Sequence, residues 1–257
     1  MKLEEYIAGV VAGEMNKDWP ENTYGAQAIL ARTFALKHME DEQTDVISGS
    51  FADAQEYNPE VVTEKIIKAV KKTRGEVALY KDQYIKAWFH SSAGGETTTA
   101  KVGLGYQKDE PPYIKKVKSP DEEAPEEIKK WTVEFNNNQL TKTLKEMGKS
   151  IGELQNMTID DRDNTGRAIK FKFSGSKGQA TVKAADFRKQ LDPKKLRSIK
   201  ISSLEKTLKG YRFTGSGFGH GVGMSQWGAY SMAKNNKSSE DIVNYYFKNI
   251  KIAKMYD

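Results

Sequence analysis

The chain has 257 residues, with 41 Lys and Arg against 35 Asp and Glu, a net charge of +6 and no cysteine. That length suits one large domain or two modest ones with a full hydrophobic core. The lack of cysteine excludes disulfides, thiol catalysis and thiolate-ligated metals. The positive balance suits an anionic polymer, but the charges are interspersed and no Lys/Arg block forms a nucleic-acid arm, so a nucleic-acid binder is the least supported class. No apolar run approaches the ~20 residues needed to span a bilayer. The opening residues MKLEEYIAGVV lack the basic region and apolar core of a signal peptide. Export is therefore expected to use a leader or anchor outside this chain.

Apolar residues at Leu3, Tyr6, Ile7, Val10 and Val11 predict a helix over 3–15 with one buried stripe. Glu14 falls on that stripe, and a carboxylate at the end of an apolar face is unusual. Trp19-Pro20 ends this helix, and a second is expected over 23–39, carrying Gln27 and Arg32. A third is expected over 60–73, closed by Arg74-Gly75. A β-hairpin follows over 77–80 and 84–89, with His90 where its second strand ends. Residues 106–130, with Pro-Pro and an acidic patch, read as a surface linker. Beyond it, 131–205 reads as a β-rich subdomain, with strands at 157–160, 168–173 and 179–182 and helices near 140–146 and 184–191. Turn signals at 164–166 and 176–178 separate the strands. The remainder, 206–257, reads as a glycine-rich loop and two helices, 225–234 and 239–247, the second capped by Ser238-Ser239 with Glu240 and Asp241. The whole is an α+β chain: a helical core over 1–105 with antiparallel strands, a β-rich subdomain, and a groove expected between them.

The segment 215–230, GSGFGHGVGMSQWGAY, holds six glycines in sixteen residues. Glycine permits backbone angles that other residues avoid and lets a ligand come close. A turn needs one or two, so this loop is expected to set His220 and Gln226 beside something polar. Each candidate has a plainer alternative. Glu14, if shielded from water, has a raised pKa and suits a general acid; otherwise it is an exposed residue at a helix end. His220 is a ligand contact or a turn cap, Gln226 binds an amide or hydroxyl or satisfies a loop carbonyl, and His90 is a site residue or structural. Arg32 holds a substrate group or pairs with Glu14, which would lower the acid's pKa. A Ser225–His220 nucleophile pair is disfavoured, because five residues across a turn rarely make that geometry. Three histidines without H-x-x-x-H spacing argue against zinc.

The blocks YIAGVVAGEM (6–15), AQAILARTFAL (26–36), FHSSAGGET (89–97), DRDNTGRAIKF (161–171), DFRKQL (186–191) and GFGHGVGMSQWGA (217–229) together resemble the SpoIID/LytB family in order and spacing across nearly the whole chain. The last block is the most specific. The resemblance implies a lytic transglycosylase of bacterial peptidoglycan, acting in spore engulfment on glycan strands stripped of stem peptides, on the wall side of the membrane. Glu14 would be the catalytic acid and then base. His90, Ser91, His220, Gly221, Ser225 and Gln226 would bind sugar hydroxyls and N-acetyl groups. Gln27 and Arg32 would support the catalytic helix or contact the glycan, and Trp88 or Trp227 would offer an apolar platform. Implied partners are the glycan strands, an amidase or endopeptidase and other engulfment proteins. No cofactor is implied: some members resemble zinc proteins with Cys ligands, which this chain lacks. LytB-type relatives are amidase enhancers, so the alternative is a non-catalytic wall-binding module; a Glu at position 14 favours the enzyme.

Overall fold

The computed structural model describes residues 1–44, 46–47 and 55–257. The chain divides into two units, one formed by Met1–Phe89 with Gln226–Asp257 and the other by His90–Ser225. Helices dominate the first and antiparallel sheets the second, an α+β architecture.

In the first unit, α1 (Leu3–Glu14) buries Ile7, Ala8, Gly9, Val10, Val11 and Ala12. It stops at Glu14 because Met15 turns extended, its N–H closing on Val11 O at 3.1 Å. The longer α2 (Glu21–Glu42) starts after Pro20 and ends where Gln43 adopts a left-handed conformation. Its alanines Ala28, Ala31 and Ala35 share a buried cluster with Ile7, Val10 and Val11 of α1. The expected third helix divides. Pro59–Val61 forms a 3-10 turn, and α3 (Glu64–Lys72) begins afresh at Thr63, whose hydroxyl accepts from Ile66 N at 3.3 Å. The hairpin forms as β1 (Glu76–Tyr80) and β2 (Gln83–Tyr84) around Lys81 and Asp82, both at positive φ. Its second strand is shorter than the residue alternation suggests: Ile85 N still bonds Ala78 O, but Trp88 N folds back onto Lys86 O.

The chain enters the second unit through β3 (Phe89–His90). The short α4 (Ala100–Gly103) precedes residues 106–130, which contain the short α5 (Glu126–Lys129) and of which Tyr113, Ile114, Ser119, Asp121 and Ala124 are buried. The β4 strand (Trp131–Asn136) leads to α6 (Asn137–Glu146), then to β5 (Leu154–Arg162), β6 (Ala168–Gly175), β7 (Gly178–Lys183) and α7 (Ala184–Leu191). The strands β8 (Ile201–Lys206), β9 (Gly210–Gly215) and β10 (Met224–Ser225) complete it. Two three-stranded antiparallel sheets result, β5-β6-β7 and β4-β9-β8, and β10 pairs with β3. The expected strands and both helices of this region form. The sequence reading did not single out β4, β8 and β9; β9 pairs with both other strands of its sheet. Phe171 centres the core, edge-on to Phe173, Phe187 and Phe213.

The chain then returns to the first unit as α8 (Gln226–Lys234), α9 (Ser239–Tyr246) and β11 (Lys251–Lys254), which pairs antiparallel with β1. Ser238 and Asp241 cap α9 reciprocally at 3.0 Å, as expected. With these in place α2 touches α1, α3, α8, α9 and β1.

One buried ion pair ties this unit together. Arg32 is fully buried and donates through Nε and Nη2 to the two carboxylate oxygens of Glu4 at 2.9 and 2.7 Å, and through Nη1 to Glu76 O at 2.9 Å. Tyr256 O–H donates to Glu4 Oε1 at 2.6 Å. Removing one partner leaves a charge without its counterion away from water, at a cost of about 3–5 kcal/mol. Arg32→Met and Glu4→Leu should each lower unfolding stability by about that amount, and the double variant should lose less than the sum. Urea denaturation of all four proteins tests this; strictly additive losses would contradict it.

Candidate functional site

Glu14 is the last residue of α1, and its carboxyl is half-buried between two other segments of the first unit. The backbone N–H of Glu56 donates to Oε1 at 2.7 Å. The amide of Gln226, the first residue of α8, lies 3.4 Å from Oε2. Burial is the main effect on this group and pushes its pKa up to about 7; the nearby Glu56 charge adds to the rise, while the bonds from Glu56 N and Gln226 oppose it. A carboxylate at a helix C-terminus also faces the negative end of the macrodipole. Glu14 therefore has the property of a general acid, a proton held near neutral pH and within reach of transfer.

The aromatic neighbours of this end of α1 come from both ends of the chain. Trp227 on α8 meets Trp19 edge-on at 4.7 Å, and Tyr230 closes the group at 5.1 Å from Trp19. Trp88, the other expected platform, is partly exposed. Arg32 does not pair with Glu14; its guanidinium is committed to Glu4 and Glu76, which leaves the acid's proton unopposed by a cation there. Gln27 is fully buried on α2, and neither amide atom has a hydrogen-bond partner among the described residues.

The other expected residues group in the second unit. His90 Nδ1 donates to Val222 O at 3.1 Å, and its ring lies 5.4 Å from that of His220. Complete burial, with a smaller push from the Arg167 charge, lowers its pKa to about 3, so the imidazole is neutral at physiological pH. His220 Nδ1 accepts from Val222 N at 3.1 Å. Gly221 is at φ 78°, and a Cβ there would lie 2.6 Å from the Arg167 guanidinium, so only glycine fits. That guanidinium donates to Ala93 O at 2.7 Å and to Thr165 at 2.8 Å.

Ser225 donates to Asp121 Oδ1 at 2.8 Å, rather than serving as a nucleophile beside His220. Asp121 also accepts from Ser119 at 2.6 Å, from Ser92 at 2.8 Å and from Gly94 N at 2.9 Å. It is thus the residue that joins the 90–97 segment to the end of the glycine-rich loop. Sequence reasoning missed it: Asp121 sits in a polar run with no periodicity. Ser91 is partly exposed, its carbonyl 3.5 Å from the Ser225 hydroxyl. Among the described residues no three His, Asp or Glu side chains gather as metal ligands would.

A family model described as "Stage II sporulation protein" matches residues 1–80, and a model for a domain of unknown function matches 81–223. Stage II sporulation protein D of Bacillus subtilis is 32% identical over 276 residues, covering 98% of this chain and 74% of that protein. The chain belongs to the stage II sporulation protein D family. An uncharacterized protein of Brachyspira hyodysenteriae is 32% identical over 255 residues, 98% of this chain and 67% of its own length. The amidase enhancer of Bacillus subtilis is 24% identical over 288 residues, 94% of this chain and 39% of that protein. The match to the sporulation-protein model takes in α1, α2 and Glu14, whereas Gln226 lies beyond both matched stretches.

The raised pKa of Glu14 has a consequence for stability. An unfolded chain releases this proton near 4.5 and the native one near 7, so the native state binds more protons between these values. Stability from this group is therefore lost as pH rises through that window, by about 3 kcal/mol at most. Glu14→Gln, which does not titrate, should gain stability relative to the native chain across pH 4.5 to 7. Urea unfolding at pH 5 and pH 8 measures it, and equal differences at the two values would contradict the burial argument.

Proposed function

We propose that this protein is a peptidoglycan lytic transglycosylase that cleaves the MurNAc–GlcNAc bond and leaves 1,6-anhydroMurNAc ends. The observation that carries the reading is the carboxyl of Glu14, held by burial near a pKa of 7. At neutral pH one such group is suited both to give a proton and to take one back. In the proposed reaction Glu14 protonates the glycosidic oxygen as the bond from that oxygen to C1 of the muramic acid breaks. The C6 hydroxyl oxygen of the same sugar then bonds to C1, and its proton returns to Glu14. Atoms and charge balance without water, so one carboxyl group suffices where an ordinary glycosidase uses two.

The remaining roles follow the family resemblance. Gln226, beside Oε2, orients the sugar at the reacting oxygen. His90, Ser91, His220, Gly221 and Ser225 belong to the segments that hold hydroxyl and N-acetyl groups, with Asp121 fixing Ser225. Gln27 and Arg32 support the helix that bears the acid. The substrate is glycan stripped of stem peptides, and the setting is the wall side of the membrane during sporulation, with an amidase or endopeptidase and other engulfment proteins as partners. No metal takes part in these steps. A second reading draws on the amidase-enhancer relative: a wall-binding module that activates a partner hydrolase.

Digestion of purified sacculi, intact and peptide-stripped, separates the two. Mass spectrometry should find anhydro ends, one water lighter than reducing ends, from the stripped strands. Glu14→Gln should lower cleavage ~100-fold or more with the fold kept, and turnover should fall as pH rises above about 7, where Glu14 loses its proton. Gln226→Ala should weaken turnover with little loss of stability. Activity should persist after exhaustive EDTA treatment. Reducing ends alone would mean a hydrolase; tight glycan binding without any product would favour the enhancer.

A further inference from the structure

The helix that ends in Glu14 carries two glycines, Gly9 and Gly13, four positions apart and so on one face. The segment 55–58 lies directly against them. A Cβ on Gly13 would stand 2.6 Å from Glu56 O, and one on Gly9 would stand 2.2 Å from the ring of Tyr57. Asn58 N donates to Gly9 O at 3.0 Å, and the Tyr57 ring stacks on Tyr6 of the same helix at 5.6 Å. Gln55 Nε2 anchors the segment to Ala31 O of α2 at 3.3 Å. Where it crosses the end of α1, it delivers the Glu56 N–H to Glu14 Oε1 at 2.7 Å.

We propose that residues 55–58 are a clamp on the acid, which makes Oε2 of Glu14 the proton-delivering oxygen and Glu56 a positioning residue of the reaction. The proposal rests on the transglycosylase reading for its use, but its geometry does not. A backbone N–H can only donate, and the carbonyl oxygen of a protonated carboxyl is its better acceptor. Oε1 is thereby fixed as the carbonyl oxygen, and the proton sits on Oε2. There the Gln226 amide approaches to 3.4 Å, a long contact that leaves room for an incoming glycosidic oxygen.

The exposed side chain of Glu56 adds a second effect. Its negative charge disfavours the Glu14 anion, so it helps the acid to keep its proton until the substrate arrives. Among the described residues, the groups that act on this carboxyl are Glu56 from the clamp and the neutral Gln226 from α8, with Tyr6 of α1, on which Tyr57 stacks, feeling its charge. Tyr6 is itself pushed up by burial and holds its proton throughout the neutral range. Glu56 is therefore the charge whose removal reads out the clamp.

The test follows the Glu14 carboxyl by carbon-13 NMR as a function of pH in the full chain, with Glu14→Gln to assign it. In the native protein the titration should centre on about 7, and the Glu56 amide proton should follow the same midpoint. Glu56→Gln keeps the backbone donor and removes the charge, so the midpoint should move down; Glu56→Asp should leave it near the native value. Gly13→Ala drives the segment off α1, so the Glu56 amide should no longer report the titration, and turnover of peptide-stripped glycan should fall ~10–100-fold with KM little changed. An unmoved midpoint in Glu56→Gln, or native turnover and amide response in a folded Gly13→Ala, would overturn the clamp. A native protein that titrates as described yet cleaves no glycan would instead sink the transglycosylase reading and leave the clamp standing.

Discussion

Exclusion of water from one carboxyl group is the constraint around which the first unit is arranged. A carboxyl group in bulk water gives up its proton well below neutrality, and withdrawal from water is the main effect that raises the pKa of Glu14, with the Glu56 charge adding to it. Here α1 delivers Glu14 at its last turn, where the apolar stripe of the helix meets a segment of backbone and the start of α8. The hydrogen-bond donors are few and uncharged. A lysine or arginine in contact would have held the carboxylate ionised and removed its use as an acid.

That arrangement places a demand on everything that holds α1. Arg32 is held at the opposite end of the helix by Glu4, ten residues before Glu14. Separating the two carboxylates in this way leaves one ion-paired with Arg32 and the other bonded to the uncharged donors of Glu56 N and Gln226, although both lie on the same helix. The ion pair also recruits Tyr256 and the Glu76 carbonyl, so the two ends of the chain and β1 converge on it. Small residues complete the design: alanines on α2 let it approach α1, and Gly9 and Gly13 admit the 55–58 segment.

The second unit solves a different problem, that of shaping a glycine-rich loop. Flexible backbone is useful to a site only when something fixes it. The Asp121 carboxylate accepts four hydrogen bonds, including those from the hydroxyls of Ser92 and Ser225 in separate segments. Arg167 fills the space beside Gly221 and donates to the carbonyl of Ala93. His90, neutral and buried, bonds the loop at Val222. These contacts to the loop go with burial of His90, Asp121, Arg167 and Ser225.

Local patterns were legible in the sequence because they depend on neighbours along the chain. The apolar spacing of α1, the caps of α9 and the turns of the β5-β6-β7 sheet each follow from a few adjacent residues, and Glu14 stood out as a carboxylate on an apolar stripe. The family blocks carried the reading further, since motifs survive as short strings. What the sequence by itself determined is thus the element types, the α+β class and Glu14 as a carboxylate on an apolar stripe. Tertiary structure alone decided its chemistry. Whether Arg32 meets Glu14 or Glu4, whether Ser225 faces His220 or Asp121, and how far Glu14 is shielded from water are questions about residues tens to hundreds of positions apart. A pKa is set by distance and solvent in three dimensions, and neither is encoded in any local run of residues.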